Sequence, residues 1–165
     1  MEAFPVTIER ATMAHIPACL DILQDSVLGD YFDPEMAREI LTVALAKDQL
    51  KVALQGGATL AFRVLDPRAS FLVFPYVHLL AVRADSRSQG IGGRLLDDLE
   101  AAMLAAPGYP FRPKIFLLVA QNNRDAVRFY ERHGYVQKAV IDDMFTEGDT
   151  EFLMMKDLGP KPGHG

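Results

Sequence analysis

The segment Arg87-Ser88-Gln89-Gly90-Ile91-Gly92-Gly93-Arg94 carries residue types suited to holding an anion. It lies between a strand-like run ending at Val82 and a helix-like run from Gly90 to Ala105. A loop that feeds a helix leaves the first N–H groups of that helix without intrahelical partners, and the helix dipole adds partial positive charge at the same spot. Glycines remove the Cβ atoms that would hold a ligand off, so a diphosphate can take several amide hydrogen bonds at once. Arg87 and Arg94 stand where they would add charge at the rim. The same residues also make a plain strand-to-helix turn, and by themselves they do not decide between the two. Two other phosphate loops fit less well. A P-loop needs Gly-Lys-Ser/Thr where Gly92-Gly93-Arg94 stands, and a dinucleotide loop wants a third small residue at Leu95.

A second constellation runs from Asn123 through Arg124-Asp125-Ala126-Val127-Arg128-Phe129-Tyr130 to His133-Gly134-Tyr135. Spacings of three and four residues put Ala126, Phe129 and Tyr130 on one helical face, a small residue beside an aromatic pair. That pattern alone describes a core-facing helix. A third feature is His78, whose imidazole titrates near pH 6.5, within range for general-base work. Strand alternation puts Tyr76, His78, Leu80 and Val82 on one face.

The elements that must position these residues follow from periodicity. Val6, Ile8 and Arg10 alternate with Thr7 and Glu9 as a short strand, and Thr12 can cap a helix through Ile16, Leu20 and Leu23. Asp33, Pro34 and Glu35 supply an N-cap, a first-turn proline and a first-turn acid for a second helix. Leu50 to Leu54 and Ala58 to Leu65 flank Gln55-Gly56-Gly57 as a hairpin. Phe71 to Val82 is a further strand, in which Pro75 signals a bulge or a sheet edge. After the Gly90 to Ala105 helix, the apolar run Ile115 to Val119 suits a buried central strand. A last helix spans about Arg124 to His133 and ends at Gly134; Val136 to Ile141 and Glu151 to Lys156 close the order as strands.

Composition sets the frame for these elements. The chain has 165 residues, half of them hydrophobic and 24% charged, so it fits one globular domain over 1–158 with a loose tail at 159–165. A net charge of -5 lacks the basic stripe of a nucleic-acid binder and suits a cationic substrate. Cys19 is alone, so it reads as core packing. No leader-like start and no stretch of membrane-spanning length is present, which leads us to expect a cytoplasmic protein with no membrane partner.

Taken together, the two constellations resemble the GNAT superfamily of N-acetyltransferases. Its diphosphate loop reads Arg or Gln, two residues, Gly, one residue, then Gly or Ala, and Arg87, Gly90 and Gly92 satisfy it. The Asn123, Ala126, Tyr130 and Gly134-Tyr135 spacing matches the second motif, and the resemblance covers about Leu79 to Lys156. It implies an α/β (α+β) fold: a mixed, mostly antiparallel sheet of six to seven strands with about four helices and a splayed parallel strand pair. It further implies acetyl-coenzyme A as cosubstrate, without a metal, and direct attack by a primary amine in a ternary complex. The implied coenzyme contacts are Leu80, Ala81 and Val82 on the strand, Arg87, Ser88, Gln89, Gly90, Ile91, Gly92, Gly93 and Arg94 in the loop, and Asn123, Ala126, Phe129 and Tyr130 on the later helix. Tyr130 would lie near the sulfur as the acid, and His78 resembles one of the paired histidines of arylalkylamine N-acetyltransferases, where a base acts through water. The superfamily also implies a possible homodimer. A silent acyl-coenzyme A sensor of the same fold would carry the same coenzyme motifs. A nucleotide-dependent oxidoreductase would explain the loop and leave the second constellation unexplained.

Overall fold

The computed structural model of the protein describes residues 4–107 and 110–160. Strands β1 (Thr7–Arg10), β2 (Leu50–Gln55), β3 (Ala58–Ser70), β4 (Phe74–Val82), β5 (Lys114–Ala120), β6 (Val136–Asp142) and β7 (Thr150–Asp157) form one mixed sheet in the order β1-β2-β3-β4-β5-β7-β6. The pairings β1–β2, β2–β3, β5–β7 and β6–β7 are antiparallel, and β4–β5 is parallel. Four helices accompany them: α1 (Ile16–Gln24), α2 (Pro34–Ala46), α3 (Ile91–Ala105) and α4 (Arg124–Arg132). This is the mixed α/β fold that the sequence implies. Of the expected tail, residues 161–165 lie outside the described residues.

The chain forms two compact units, one of Met1–Leu65 with Leu79–Leu99, the other of Asp66–His78 with Glu100–Gly165. In the first, α2 starts as its sequence dictates: the Asp33 carboxylate accepts the Met36 amide at 2.9 Å, and Pro34 follows where no amide is needed. Thr12 precedes a 3-10 turn over Met13–His15, and α1 begins only at Ile16. One face of the strands buries Leu50, Val52 and Phe62 with Ile16, Leu23 and Leu41. The other buries Ala53, Leu60 and Ala61 with Ile91 and Leu95 of α3. Each such aliphatic side chain removed from water contributes about 2 kcal/mol. Cys19 is buried in the first cluster, and burial pushes its thiol up to about 12, which removes it as a nucleophile.

In the second unit, β5 is the buried strand that its apolar run foretells: Ile115, Leu117 and Val119 are enclosed. It pairs with β7 along its whole length, from Lys114↔Asp157 to Ala120↔Glu151. With β4 it shares only Tyr76↔Phe116 and Val77↔Leu117, although β4 continues to Val82. Pro75 therefore marks no sheet edge. It is buried in an interior strand, one residue before the first of those pairs, where a missing N–H costs no bond in that ladder.

Candidate active site

In the first unit, the residues after β4 fold back in a tight 3-10 turn over Ala84–Ser86 before the glycine segment begins. Asp85 organises that turn. It takes hydrogen bonds from Arg83 Nε at 2.6 Å and from the Ser86 hydroxyl at 2.9 Å, and these hold its carboxyl below the usual range. Ser88 at φ 61° and Gly90 at φ 78° both adopt the left-handed conformation, and a Cβ added at Gly90 would meet open space. Glycine is thus required at residue 90 by backbone torsion alone. Ile91, Gly92 and Gly93 are buried in the first turn of α3, whereas Ser88, Gln89, Gly90 and Arg94 are exposed. The segment is an exposed left-handed turn ahead of a 15-residue helix, whose first amides lack intrahelical partners.

Arg87 does not project as a free rim charge. Its Nε donates to the Val82 carbonyl at 3.1 Å and a terminal nitrogen donates to the Asp25 carbonyl at 3.4 Å. Gln89 donates to the Asp85 carbonyl at 3.3 Å. On β4, Ala81 is buried while Leu80 and Val82 are half-buried, in keeping with alternation.

The second unit holds the remaining expected residues. Asn123 is the N-cap of α4, its side-chain oxygen accepting the Ala126 amide at 3.3 Å. Tyr130 is buried, with ring centroids 5.1 Å from Phe129 and 5.6 Å from Tyr135. Burial first, and the charge of Tyr76 second, push its phenol well above the ordinary tyrosine range. It therefore keeps its proton at any working pH. Phe129 and Ala126 are half-buried on the same helix.

His78 is exposed on β4, with its ring 4.7 Å from that of Tyr76 in an edge-to-face arrangement. Its exposure places the ring outside the core. Tyr76 is pushed up to about 12: burial raises it, a backbone hydrogen bond from Leu118 lowers it, and the negative charge of Glu151 raises it again.

Glu151 is the residue that sequence reading passed over. It is 4% exposed, and burial followed by the charge of Asp149 raises its carboxyl. The sequence does carry a signal: an acid heading the run Phe152-Leu153-Met154-Met155, in phase with Leu153 and Met155. The loop acids that did attract notice have local work. Asp142 accepts from Thr150, Asp143 accepts the Gly148 amide at 2.6 Å, and Asp149 accepts from Thr146. Among the described residues no cluster of three or more His, Cys, Asp or Glu is placed to hold a metal ion. Among the described residues no helix is long and apolar enough to cross a membrane.

The fold is a mixed α/β sheet with one short parallel strand pair, and comparison with known proteins gives the family. A model described as acetyltransferase (GNAT) domain matches residues 41–137, more than half of the chain, and the chain belongs to that family. No curated protein sequence matches it. Among solved structures it is similar to Ard1 from Thermoplasma volcanium at 21% identity and a TM-score of 0.77, over 94% of this chain and 99% of that one. It is similar to the ribosomal-protein-S18-alanine N-acetyltransferase from Escherichia coli at 18% identity and a TM-score of 0.75, over 98% and 99% of the two chains. Arabidopsis thaliana Naa50, in complex with the bisubstrate analogue CoA-Ac-MVNAL, matches at 21% identity and a TM-score of 0.71, over 93% and 99%.

Proposed function

We propose that the protein is an N-acetyltransferase that moves the acetyl group of acetyl-coenzyme A to a primary amine by direct attack in a ternary complex. The observation that carries this reading is the left-handed Ser88–Gly90 turn opening the amides of α3, in a chain that belongs to a family of acetyltransferase domains. In this reading residues 1–158 act as one domain. Ser88, Gln89, Gly90, Ile91, Gly92 and Gly93 offer amides to the diphosphate, Arg94, whose own amide donates to the Gly90 carbonyl at 3.1 Å, adds its exposed guanidinium at the rim, and Arg87 braces the loop. Leu80, Ala81 and Val82 offer backbone groups to the pantetheine arm, and Asn123, Ala126, Phe129 and Tyr130 serve its thioester end. Acetyl-coenzyme A and an amine are then its partners, in the cytoplasm, with no metal, nucleic acid or membrane taking part. Two copies would form a homodimer.

The amine attacks the thioester carbonyl, the C–N bond forms, and the C–S bond breaks as the thiolate leaves. An ordinary alkylamine has a pKa of about 10.4, so presenting it unprotonated at pH 7 costs about 4.6 kcal/mol. A base is therefore required, and His78, exposed on β4, is available to act through water. At the leaving group, a thiol of pKa about 8.5 cannot readily strip a phenol raised above its usual value of about 10. Tyr130 accordingly stabilises the departing sulfur by donating a hydrogen bond that it never fully surrenders.

Titration calorimetry with coenzyme A and thiol release from acetyl-coenzyme A across a panel of primary amines test the reading. Binding with thiol release is the expected result. Binding without release on any amine indicates the silent sensor instead, and no binding overturns both. Tyr130→Phe is expected to lower kcat about 10- to 100-fold while leaving coenzyme affinity within twofold. Undiminished turnover would remove Tyr130 from the chemistry.

A further inference from the structure

The ladders of the second unit place Glu151 opposite Ala120 of β5 and Ile141 of β6. Directly paired residues share a face, and so do residues two apart along a strand. Through Leu118↔Leu153, Phe116↔Met155 and Tyr76↔Phe116, the face that carries Glu151 is therefore the face that carries Tyr76 and, two residues on, His78. The residue directly across from Glu151 is an alanine, so the carboxylate has only a methyl group beside it on β5.

Among the described residues no cation forms an ion pair with Glu151. It is 4% exposed, yet its carboxyl has no hydrogen bond or ion pair with a described residue, and its electrostatic neighbours are the acid Asp149 and the phenol Tyr76. His78, stacked edge-to-face on Tyr76, and Tyr130, whose phenol feels the charge of Tyr76, are the other titratable groups tied to Tyr76. A carboxylate set back from water with no cation paired to it among the described residues is stabilised by a cation that binds beside it.

Resting on the acetyltransferase reading above, we propose that Glu151 is the group that binds the acceptor as an ammonium ion and takes its first proton. The balance is complete without further reagents. R–NH3+ passes one proton to the Glu151 carboxylate, giving R–NH2 and a neutral carboxyl. The amine lone pair forms the C–N bond to the acetyl carbon, the C–S bond breaks with its electrons on sulfur, and the second proton on nitrogen goes to that thiolate. Glu151 then releases its proton to water, so the sum is ammonium plus thioester giving amide, thiol and one proton. Burial assists the step, because a raised carboxyl is a stronger base. His78, on the same face, is left to pass that proton outward to solvent. The acceptor class that follows is a primary amine that arrives charged; amines that are neutral at working pH, such as aniline, gain nothing from Glu151.

Two measurements test this. In Glu151→Gln, kcat/KM for charged primary amines is expected to fall about 100-fold at pH 7 and to recover toward wild type as pH rises and the free amine appears, while the fall for aniline is expected to be at least 10-fold smaller. Glu151→Asp is expected to restore part of the loss. Equal rates for Gln and wild type on a charged amine would overturn the inference and leave the acetyltransferase reading intact. The second measurement needs no turnover: the 13C resonance of the Glu151 carboxyl, assigned by loss in the Gln variant, is titrated with putrescine, phenethylamine and their alcohol analogues. The amines are expected to lower its midpoint and the alcohols to leave it unmoved. If no amine moves it, the inference fails whatever the rate assay gives, whereas a failure to bind coenzyme A would sink the acetyltransferase reading alone.

Discussion

Two carboxylates set back from solvent, Asp98 in the first unit and Glu151 in the second, are treated in opposite ways. In the first unit Asp98 on α3 takes Arg63 at 2.8 Å and Lys51 at 3.0 Å, both on the same oxygen. In the second, Glu151 on β7 has an acid and a phenol for company. Desolvation alone would raise Asp98, but hydrogen bonds from Arg63 and Lys51 outweigh it and bring its carboxyl below the ordinary range. For Glu151 nothing opposes desolvation, and the carboxyl is raised. A carboxylate given its cations is there to hold strands to a helix. One denied them is available for a cation that comes and goes.

The largest expected effect lies on the Asp98 side. Asp98→Ala leaves the buried Arg63 guanidinium without its carboxylate, and a loss of about 3 kcal/mol of stability is expected from denaturant unfolding. A loss below about 1 kcal/mol would mean that the ion pair is not structural. Glu151→Gln is expected to do the reverse, keeping or raising stability by up to about 1 kcal/mol at neutral pH while it slows the reaction.

The pH dependence of stability should separate the two further. Asp98 has a lowered native pKa, so its contribution is present above its unfolded value of about 3.9 and is lost as pH falls through the lower native value. Glu151 has a raised native pKa, so its contribution is present below its unfolded value of about 4.3 and is lost as pH rises through the higher native value. Thermal melts from pH 3 to 8 should show the second component vanish in Glu151→Gln. An unchanged profile would show that Glu151 titrates normally. The smallest effect is expected from Lys51→Met, about 0.5 kcal/mol, because Lys51 is partly exposed and Arg63 remains to hold Asp98.

How much of this the sequence foretold depends on the range of the interaction. The α2 cap at Asp33, the buried β5 run and the helix from Arg124 are settled by neighbours within four residues, and each could be read directly. The hairpin after Gln55-Gly56-Gly57 was legible too, but β3 runs on to Ser70 through Asp66-Pro67-Arg68, which local propensity treats as a stop. Its partner turn is harder still, since Phe71 and Leu72 take left-handed torsions that belong to glycine or asparagine by preference. The glycine segment was legible because backbone torsion demands its glycine. Arg87 was not, because its carbonyl acceptors at Val82 and Asp25 depend on where distant chain arrives. Glu151 shows the limit most clearly: its significance lies in facing Ala120 and sharing a surface with Tyr76, and that is a matter of strand register.

The unequal ladders of β5 carry a consequence for hydrogen exchange. Along one strand, amides directed at β7 sit in a ladder seven residues long, while those directed at β4 have two paired residues to close on. Deuterium should therefore enter β5 at every second amide, fast and slow alternating along the same short stretch of backbone. Such a strand is a zip fastened on one side, and a guest chain carrying its own amides could be counted in by the positions whose exchange it stops.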